Sequence, residues 1–323
     1  MAQVLLSRMK TVFRRGRISM DAKRLVKIRG KDKLLADWLA ILRRYANDDL
    51  GLKVPDDIGG DIDVWLATRM SRIPKIHPRK VETVKGFVIP KENKRGWINL
   101  SSKIEKGHDL LPYLSRQINK IKAVDAMHTF WGINHFHLGM IPDPKHKGLV
   151  KGGSNIVYAN LVGNSFLAVA IAAHDHFKDI EIIEKLAKQW PTHPNISRNM
   201  LITSPRTNEE NWMLRDKQVN VSTVLSDGSL WMGGSMTCSG SSGQGQAPAM
   251  HWTRVIRGIE RDIEINFAHY FPLADQLEED EVDAELVVHD DGRLAVFMPE
   301  INSKSIFNDI GTLAEIVEGW RGN

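Results

Sequence analysis

Two apolar runs joined by a two-residue turn constrain the fold of this chain most strongly. The segment NIVYANLVGNSFLAVAIAA, residues 155–173, is apolar on both sides of Gly163-Asn164, and this pattern predicts an antiparallel hairpin. Two more hairpin turns are indicated at Asp227-Gly228 and at Asp291-Gly292. Amphipathic segments that predict helices separate these hairpins. The sequence therefore predicts an α+β fold, in which small antiparallel sheets built from hairpins are covered by helices.

The chain of 323 residues divides by composition into three regions. Residues 1–107 form a basic region rich in helices and loops. Residues 108–194 form an α+β core that carries the clustered histidines, and residues 195–323 form an acidic α+β region with a Gly/Ser-rich loop. No apolar run is long enough for a transmembrane helix, so no membrane partner is expected. The single cysteine, Cys238, fits a reducing compartment and favours a cytoplasmic location.

Charge is distributed unevenly along the sequence. Residues 1–150 contain 30 Lys and Arg against 15 Asp and Glu, whereas residues 151–323 contain 14 against 24. A basic half suggests a polyanionic partner, and nucleic acid is the expected one, with RNA favoured over DNA. The alternative is that the basic half docks on the acidic half. The candidate nucleic-acid contacts are Arg14, Arg15, Arg17, Lys27, Arg29 and Lys31.

Histidines are concentrated in the middle of the chain. The segment WGINHFHLG places His135 and His137 two residues apart, and AAHDHF does the same for His174 and His176. Residues two apart on a strand share a face, so the two imidazoles of each pair are expected to point the same way. Imidazoles titrate near neutral pH and suit general acid–base chemistry on a phosphodiester. These four histidines are the candidate catalytic residues.

Three further residues are candidates for a supporting role. The segment DLLPYLSRQINKIKAVDAMHTFWG, residues 109–132, has helical apolar spacing, and a helix there would place Asp125 and His128 on its buried side. Asp125 and Asp175 are expected to orient imidazole rings. This chemistry needs no cofactor. The alternative is a divalent metal ion with His135, His137 and His174 as ligands. A second alternative is that the histidines only form hydrogen bonds in the core.

A Gly/Ser-rich segment, GGSMTCSGSSGQGQ at residues 233–246, precedes a predicted helix. Backbone amides at helix N-termini bind phosphate, so Gly233, Gly234 and Ser235 are candidates for a phosphate-binding loop. The segment matches neither a P-loop nor a dinucleotide-binding fingerprint. The alternative is a surface loop without a ligand.

The middle of the chain resembles two groups of proteins. The segment DAMHTFWGINHFHLG, followed by an apolar hairpin, AHDHF and a helix ending in KQWP, resembles a group of uncharacterised bacterial proteins associated with mobile elements and phage defence. The order of elements in residues 109–177 is also similar to the small sheet of RelE-type ribonuclease toxins. This second resemblance implies RNA cleavage with histidines in place of the toxins' basic residues, because IVYANLVGNSFLAVAIAA contains no Arg or Lys.

Together these features favour a nucleic-acid-directed hydrolase or transesterase. The leading interpretation is an endoribonuclease of toxin or defence type, in which clustered histidines act as general acid and base. One alternative is a metal-dependent phosphodiesterase or nuclease. Another is a nucleic-acid-binding or regulatory module without enzymatic activity. An oligomeric assembly is compatible with all three.

Overall fold

A computed structural model describes residues 25–174, 179–200, 206–217, 219–237, 240–273, 277 and 279–322. Helices and small sheets alternate along this part of the chain, and the predicted α+β class is confirmed. Several residues singled out from the sequence lie outside the described residues: Arg14, Arg15, Arg17, Asp175, His176 and Cys238.

The site is built on a four-stranded sheet. Its strands are β2 (Lys80–Thr83), β3 (Ile133–His137), β4 (Asn155–Val162) and β5 (Ser165–Ala173), in the order β2-β5-β4-β3. Strands β3 and β5 both pair antiparallel with β4, whereas β2 pairs parallel with β5 at one edge. The turn between β4 and β5 is the predicted one, and Gly163 has a positive φ of 53°, which glycine adopts at little cost.

Three smaller sheets complete the strands of the described residues. Their strands are β1 (Lys27–Ile28), β6 (Ile196–Ser197), β7 (Thr223–Val224), β8 (Leu230–Trp231), β9 (Glu281–Val282), β10 (Glu285–Val288), β11 (Leu294–Met298) and β12 (Ser303–Ile306). The sheets are β1-β9, β6-β8-β7 and β10-β11-β12. The predicted hairpin turns at Asp227-Gly228 and Asp291-Gly292 lie between β7 and β8 and between β10 and β11. The β1–β9 pairing is parallel, so hairpins alone do not build the sheets.

Helices cover these sheets. Those in the described residues are α1 (Lys33–Asp48), α2 (Ile62–Ser71), α3 (Lys94–Glu105), α4 (Ala126–Trp131), α5 (Glu181–Gln189), α6 (Asn208–Asp216), α7 (Gly243–Ile265), α8 (Phe267–Tyr270) and α9 (Leu313–Glu318). Within the part of the chain that the structure describes, none of these helices is both long and apolar enough to cross a membrane.

The predicted continuous helix over residues 109–132 is wrong. The chain instead forms two 3₁₀ turns, Leu111–Tyr113 and Arg116–Asn119, and only α4 is α-helical. Ser115 caps the second turn with its hydroxyl, and Asp125 caps α4 by accepting a hydrogen bond of 3.1 Å from the backbone N–H of His128. Each side-chain cap starts a new turn, so the apolar side chains reach the core without one long helix.

The two faces of the four-stranded sheet pack against different helices. One face carries Phe136 and Phe166 and belongs to the larger core, which also contains residues of α1, α2, α3 and α7. The other face carries Ile133 and Tyr158 and packs against α4, α5 and α6. The larger core extends from Val26 to residues near the C-terminus and draws on all three compositional regions.

The smaller core contains a buried arginine among aromatic rings. The guanidinium carbon of Arg215 lies 5.0 Å from the ring centroid of Phe130, 5.5 Å from that of Trp131 and 5.1 Å from that of Trp212. Its Nη2 donates a hydrogen bond of 2.8 Å to Thr223 Oγ1. Burial lowers the pKa of Arg215 to about 10, so the side chain remains a cation at neutral pH and is stabilised by the ring faces.

We expect Arg215→Met to lower the free energy of unfolding by about 2 kcal/mol. Methionine keeps much of the side-chain volume but loses the cation–π contacts and the hydrogen bonds of Nη2 to Thr223 Oγ1 and to the carbonyl oxygen of Val221, which is left without its charged donor. Urea unfolding is the measurement. The matched control is Arg198→Met, which removes a half-exposed arginine and should change stability by less than about 0.5 kcal/mol. Equal effects of the two substitutions would contradict this account of Arg215.

Candidate active site

Three of the four candidate catalytic histidines meet at one end of the four-stranded sheet. His135 and His137 point to the same face of β3, and His174 directly follows β5 at the same end. The ring centroids are 6.3 Å apart for His135 and His137, 6.1 Å for His135 and His174, and 5.3 Å for His137 and His174. We call these three residues the imidazole cluster. One small reacting group can therefore be reached from more than one ring.

Asp125 fixes the orientation of His135. One carboxylate oxygen of Asp125 caps α4, and the other lies 3.1 Å from His135 Nδ1. Both side chains are largely shielded, with 12% of the Asp125 side chain and 17% of the His135 side chain exposed. A carboxylate at Nδ1 selects the tautomer that carries its hydrogen there, so Nε2 of His135 has a free lone pair. The structure places Asp125 against the ring of His135, and its role in orienting that ring for chemistry stays a prediction.

The charge of Asp125 persists despite its burial. Burial alone would raise its pKa, but the charge and hydrogen bond of His135, together with the charges of Arg72 and His128, hold that pKa well below the usual range. Arg72 is itself anchored by a hydrogen bond of 2.9 Å from Nη1 to the carbonyl oxygen of Ala123. The Asp125 carboxylate therefore remains negatively charged beside His135 over the whole physiological pH range.

His137, like His135, is partly buried, and its environment suppresses protonation. Burial, and then the positive charges of His135, His174 and Arg116, lower its pKa to about 4, so the ring is neutral at pH 7. Its Nδ1 has no hydrogen-bond partner among the described residues. The main chain at Gly152 abuts this ring, since a Cβ atom placed there would lie 3.0 Å from His137 Nδ1. His174, in contrast, is exposed and marks the open side of the cluster.

Arg116 is a charged neighbour of the cluster that the sequence pattern did not single out. It lies on the exposed 3₁₀ turn Arg116–Asn119, and its charge acts on both His137 and Asp143. The expected helix over residues 109–132 obscured this placement. The signal that could have revealed it is Ser115, whose type favours the start of a turn directly before the arginine.

His128 does not belong to the imidazole cluster. It is 5% exposed, and its Nδ1 has no hydrogen-bond partner in the described part of the chain. Burial, opposed by the charge of Asp125, lowers the pKa of His128 to about 4. Its backbone supports the site through the bond to Asp125, whereas its ring lies in the interior.

No set of three His, Cys, Asp or Glu residues is arranged to hold a metal ion among the residues that the structure describes. The side chains of the imidazole cluster are close to one another, but their present orientation does not form such a set. Asp175 and His176, which adjoin the cluster in sequence, lie outside the described residues. A divalent metal therefore stays a prediction for this site.

The described basic residues of the N-terminal segment meet acidic residues of the C-terminal region. Arg29 forms ion pairs of 3.2 Å with Glu279 and 2.8 Å with Asp283, next to the pairing of β1 with β9. Lys27 and Lys31 are exposed. At Arg29 the charge thus serves internal docking, which is the alternative that the charge distribution left open. A nucleic-acid contact by these residues stays a prediction.

The glycines of the Gly/Ser-rich segment permit close packing. A Cβ atom at Gly233 would lie 2.2 Å from the carbonyl oxygen of Trp131, and one at Gly234 would lie 2.0 Å from that of Thr129. The carbonyl oxygen of Ser235 accepts a hydrogen bond of 2.8 Å from the N–H of Gly243, the first residue of α7. The loop therefore packs closely against α4 and is hydrogen-bonded to α7. Because the N–H of Gly243 is already engaged, it is not an open donor for a phosphate. The phosphate-binding role of this loop stays a prediction.

Stability should fall steeply on acidification from about pH 6.5 to pH 4. The pKa values of His128, His137 and His193 are each lowered to about 4, chiefly by burial, whereas unfolded histidines titrate near 6.5. The unfolded state then binds more protons in this window, so unfolding becomes easier as pH falls, by on the order of 3 kcal/mol for each histidine at most.

Urea unfolding between pH 7.5 and pH 4.5 tests this expectation. His137→Gln should reduce the pH dependence of the unfolding free energy by about one third, since one of three shifted groups is removed. His251→Gln, at an exposed histidine, should leave the pH dependence unchanged. A flat profile for the parent protein would show that these three rings are not kept neutral by burial.

Comparison with known proteins identified no relative of this chain. No family model matches the chain, and no curated protein or solved structure matches it either. The resemblance to bacterial defence proteins and RelE-type toxins therefore stays a prediction from the sequence. Function has to be argued from the imidazole cluster, Asp125 and Arg116 themselves.

Proposed function

We propose that this protein is a nucleic-acid-directed transesterase, most specifically an endoribonuclease of toxin or defence type, that uses the imidazole cluster as general acid and base. The observation that carries the proposal is the packing of three imidazoles with ring centroids 5.3 to 6.3 Å apart, one of them held by a buried carboxylate. Two proton-transfer groups on opposite sides of one phosphate are what phosphodiester transesterification requires.

His135 is assigned as the general base. Its Nδ1 faces Asp125, so Nε2 accepts the proton of a ribose 2′-hydroxyl while the imidazolium that forms is stabilised by the carboxylate. The 2′-oxygen then attacks the adjacent phosphorus. The bond from phosphorus to the 5′-oxygen breaks, and a 2′,3′-cyclic phosphate is left on one product.

His174 is assigned as the general acid. It lies on the open side of the cluster, 6.1 Å from His135 between ring centroids, where a leaving 5′-oxygen can reach it and take its proton. His137, neutral and shielded, lies beside both rings, 6.3 Å from His135 and 5.3 Å from His174 between ring centroids, and positions the phosphate. DNA lacks the 2′-hydroxyl that this sequence of steps requires, which is why RNA is the proposed substrate.

Arg116 is assigned to the phosphate. Its guanidinium is exposed and acts electrostatically on His137. Arginine binds phosphate oxygens with two parallel donors, and it stabilises the extra negative charge that develops on phosphorus in the transition state. A cation beside neutral imidazoles thus fits a phosphodiester better than a neutral substrate.

We expect His135→Gln and His174→Gln each to lower the rate of RNA cleavage by a factor of roughly 10² to 10⁴, because glutamine hydrogen-bonds but does not transfer a proton at neutral pH. Asp125→Asn should also lower the rate, although asparagine still caps α4. The control is His251→Gln, at an exposed histidine. Cleavage of mixed RNA and of single-stranded DNA is measured with and without EDTA, and products are examined for 2′,3′-cyclic phosphate ends.

Three outcomes decide between the candidate functions. Cyclic-phosphate products that persist in EDTA and vanish in the cluster variants support the proposal. Activity that EDTA abolishes points instead to the metal-dependent phosphodiesterase. RNA binding without cleavage by the folded parent protein points to the non-enzymatic binding module.

Arg116→Gln should raise the KM for RNA roughly tenfold, since a charge-assisted contact to phosphate is lost. The same change removes a cation that lowers the pKa of His137, so the pKa of His137, followed by NMR, should rise. Lys120→Gln, at an exposed lysine just after the same 3₁₀ turn, is the matched control and should change neither quantity. An unchanged KM in Arg116→Gln would remove Arg116 from the proposed site.

A further inference from the structure

A cavity of about 520 Å³ lies at the opposite end of the four-stranded sheet from the imidazole cluster. Its walls are the beginning of β3, the end of β4, the first turn of α7 and the C-terminal residues 319–322. None of the three residues of the imidazole cluster lines it. Its volume lies within the range of about 300 to 1,000 Å³ that is usual for small-molecule sites.

Carboxamide side chains form much of the polar lining. Asn134, Asn160, Asn195 and Gln244 all line the cavity. Asn160 is fully engaged, since its Nδ2 donates to the carbonyl oxygen of Gly132 at 2.7 Å and its Oδ1 lies 2.9 Å from the ring of His193. Among the described residues, the amide groups of the other three have no hydrogen-bond partner. Each of these three offers a donor and an acceptor side by side.

Two aromatic side chains of the lining are buried with unsatisfied nitrogens. His128 and Trp320 are each 5% exposed, and neither His128 Nδ1 nor Trp320 Nε1 has a hydrogen-bond partner within the described part of the chain. Both nitrogens are closed off from the cavity space, so they are not donors or acceptors for an occupant. These two side chains contribute flat aromatic surface to the wall, and the hydrogen-bonding groups of the lining are the carboxamides.

The lining does not favour an anion. Its only charged residue among the described ones is Arg321, which is paired with Asp109 at 2.9 Å and with Glu318 at 3.2 Å. The first amides of α7 are also engaged: Gly243 N–H donates to the Ser235 carbonyl at 2.8 Å, and Gln244 N–H donates to Ser242 Oγ at 3.2 Å. A phosphate would therefore find no free cation and no open helix N-terminus here.

We propose that this cavity binds a neutral nucleobase that is not base-paired. Asn and Gln side chains match the edges of bases, because both present an adjacent donor and acceptor in one plane. The aromatic side chain of Trp320 favours a flat ring in the cavity. The ribose and phosphate attached to the base would lie at the open side of the cavity, near the exposed residues Pro194 and Gln244.

The cavity is linked to the proposed active site through two shared residues. His128 and Asn134 line this cavity and also the small adjoining space that contains Asp125 and His135. A base bound in the cavity would therefore lie against the element that holds the general base. This placement suits an unstacked base of an RNA strand. The base could come from an RNA strand or from a free nucleoside, and only the RNA strand as its source rests on the proposed endoribonuclease function.

Titration with the four free ribonucleosides, followed by ligand-observed NMR, tests the proposal on the full chain. We expect binding of at least one nucleoside, weakened roughly tenfold by Gln244→Ala or Asn195→Ala, as the loss of one or two hydrogen bonds implies. Gln246→Ala, in the same first turns of α7 but outside the lining, is the matched control. Circular dichroism confirms that each variant is folded. No binding at millimolar nucleoside, or binding equally strong in the lining variants, would overturn the proposal.

The source of the base is decided in the His135→Gln background, where RNA is not cleaved under the proposed mechanism. Weaker RNA binding on adding Gln244→Ala identifies a base of the RNA strand as the occupant. Unchanged RNA binding with weaker nucleoside binding identifies a free nucleoside. Nucleoside binding by a protein that cleaves no RNA would leave this inference standing while the proposed function fails.

Discussion

The carboxylate of Asp125 is the contact on which the proposed chemistry depends. Its two oxygens serve two elements, since one caps α4 and the other meets His135 on β3. The chain between them turns at Gly132, which has a positive φ of 68°. Because the same carboxylate contacts the helix and the strand, the position of the His135 ring is coupled to the backbone of both elements. The low pKa of Asp125 keeps that group charged.

Strand β3 separates two chemical environments. Its alternation sends His135 and His137 to one face and Asn134 to the other, and its two ends meet different partners. At one end, the imidazole cluster and Arg116 form a site suited to proton transfer and phosphate. At the other end, free carboxamides and aromatic side chains form a neutral cavity. A single strand thus connects a candidate reaction centre with a candidate recognition site.

Charge in this protein is used in two ways. Arg29 is paired with acidic residues more than two hundred positions away, and it joins β1 to the segment around β9. Arg116 is exposed beside His137. The basic residues of the first half of the sequence therefore include one cation that is paired internally and one that is exposed, to which the proposed function assigns the phosphate. Residue counts alone do not distinguish them, because the partner of each cation depends on contacts distant in sequence.

Local sequence determined the hairpins and the spacing of the histidines. The turns at Gly163-Asn164, Asp227-Gly228 and Asp291-Gly292 are short-range signals, and the period of two along β3 places His135 and His137 together. Both depend on residues near in sequence, for which turn chemistry and strand geometry suffice. The same local pattern failed over residues 109–132, because apolar spacing does not distinguish one helix from a series of capped turns that face the same core.

Tertiary structure alone decided what surrounds the histidines. The approach of His174 to His137 requires the pairing of β3, β4 and β5, and the burial that lowers the pKa of His137 comes from the packed core. Asn134, Asn195 and Gln244 meet around one cavity only because distant segments pack together. The sequence by itself determined which residues could do chemistry. Their distances, charges and solvent exposure were decided by the fold, since these depend on long-range contacts that no local pattern encodes.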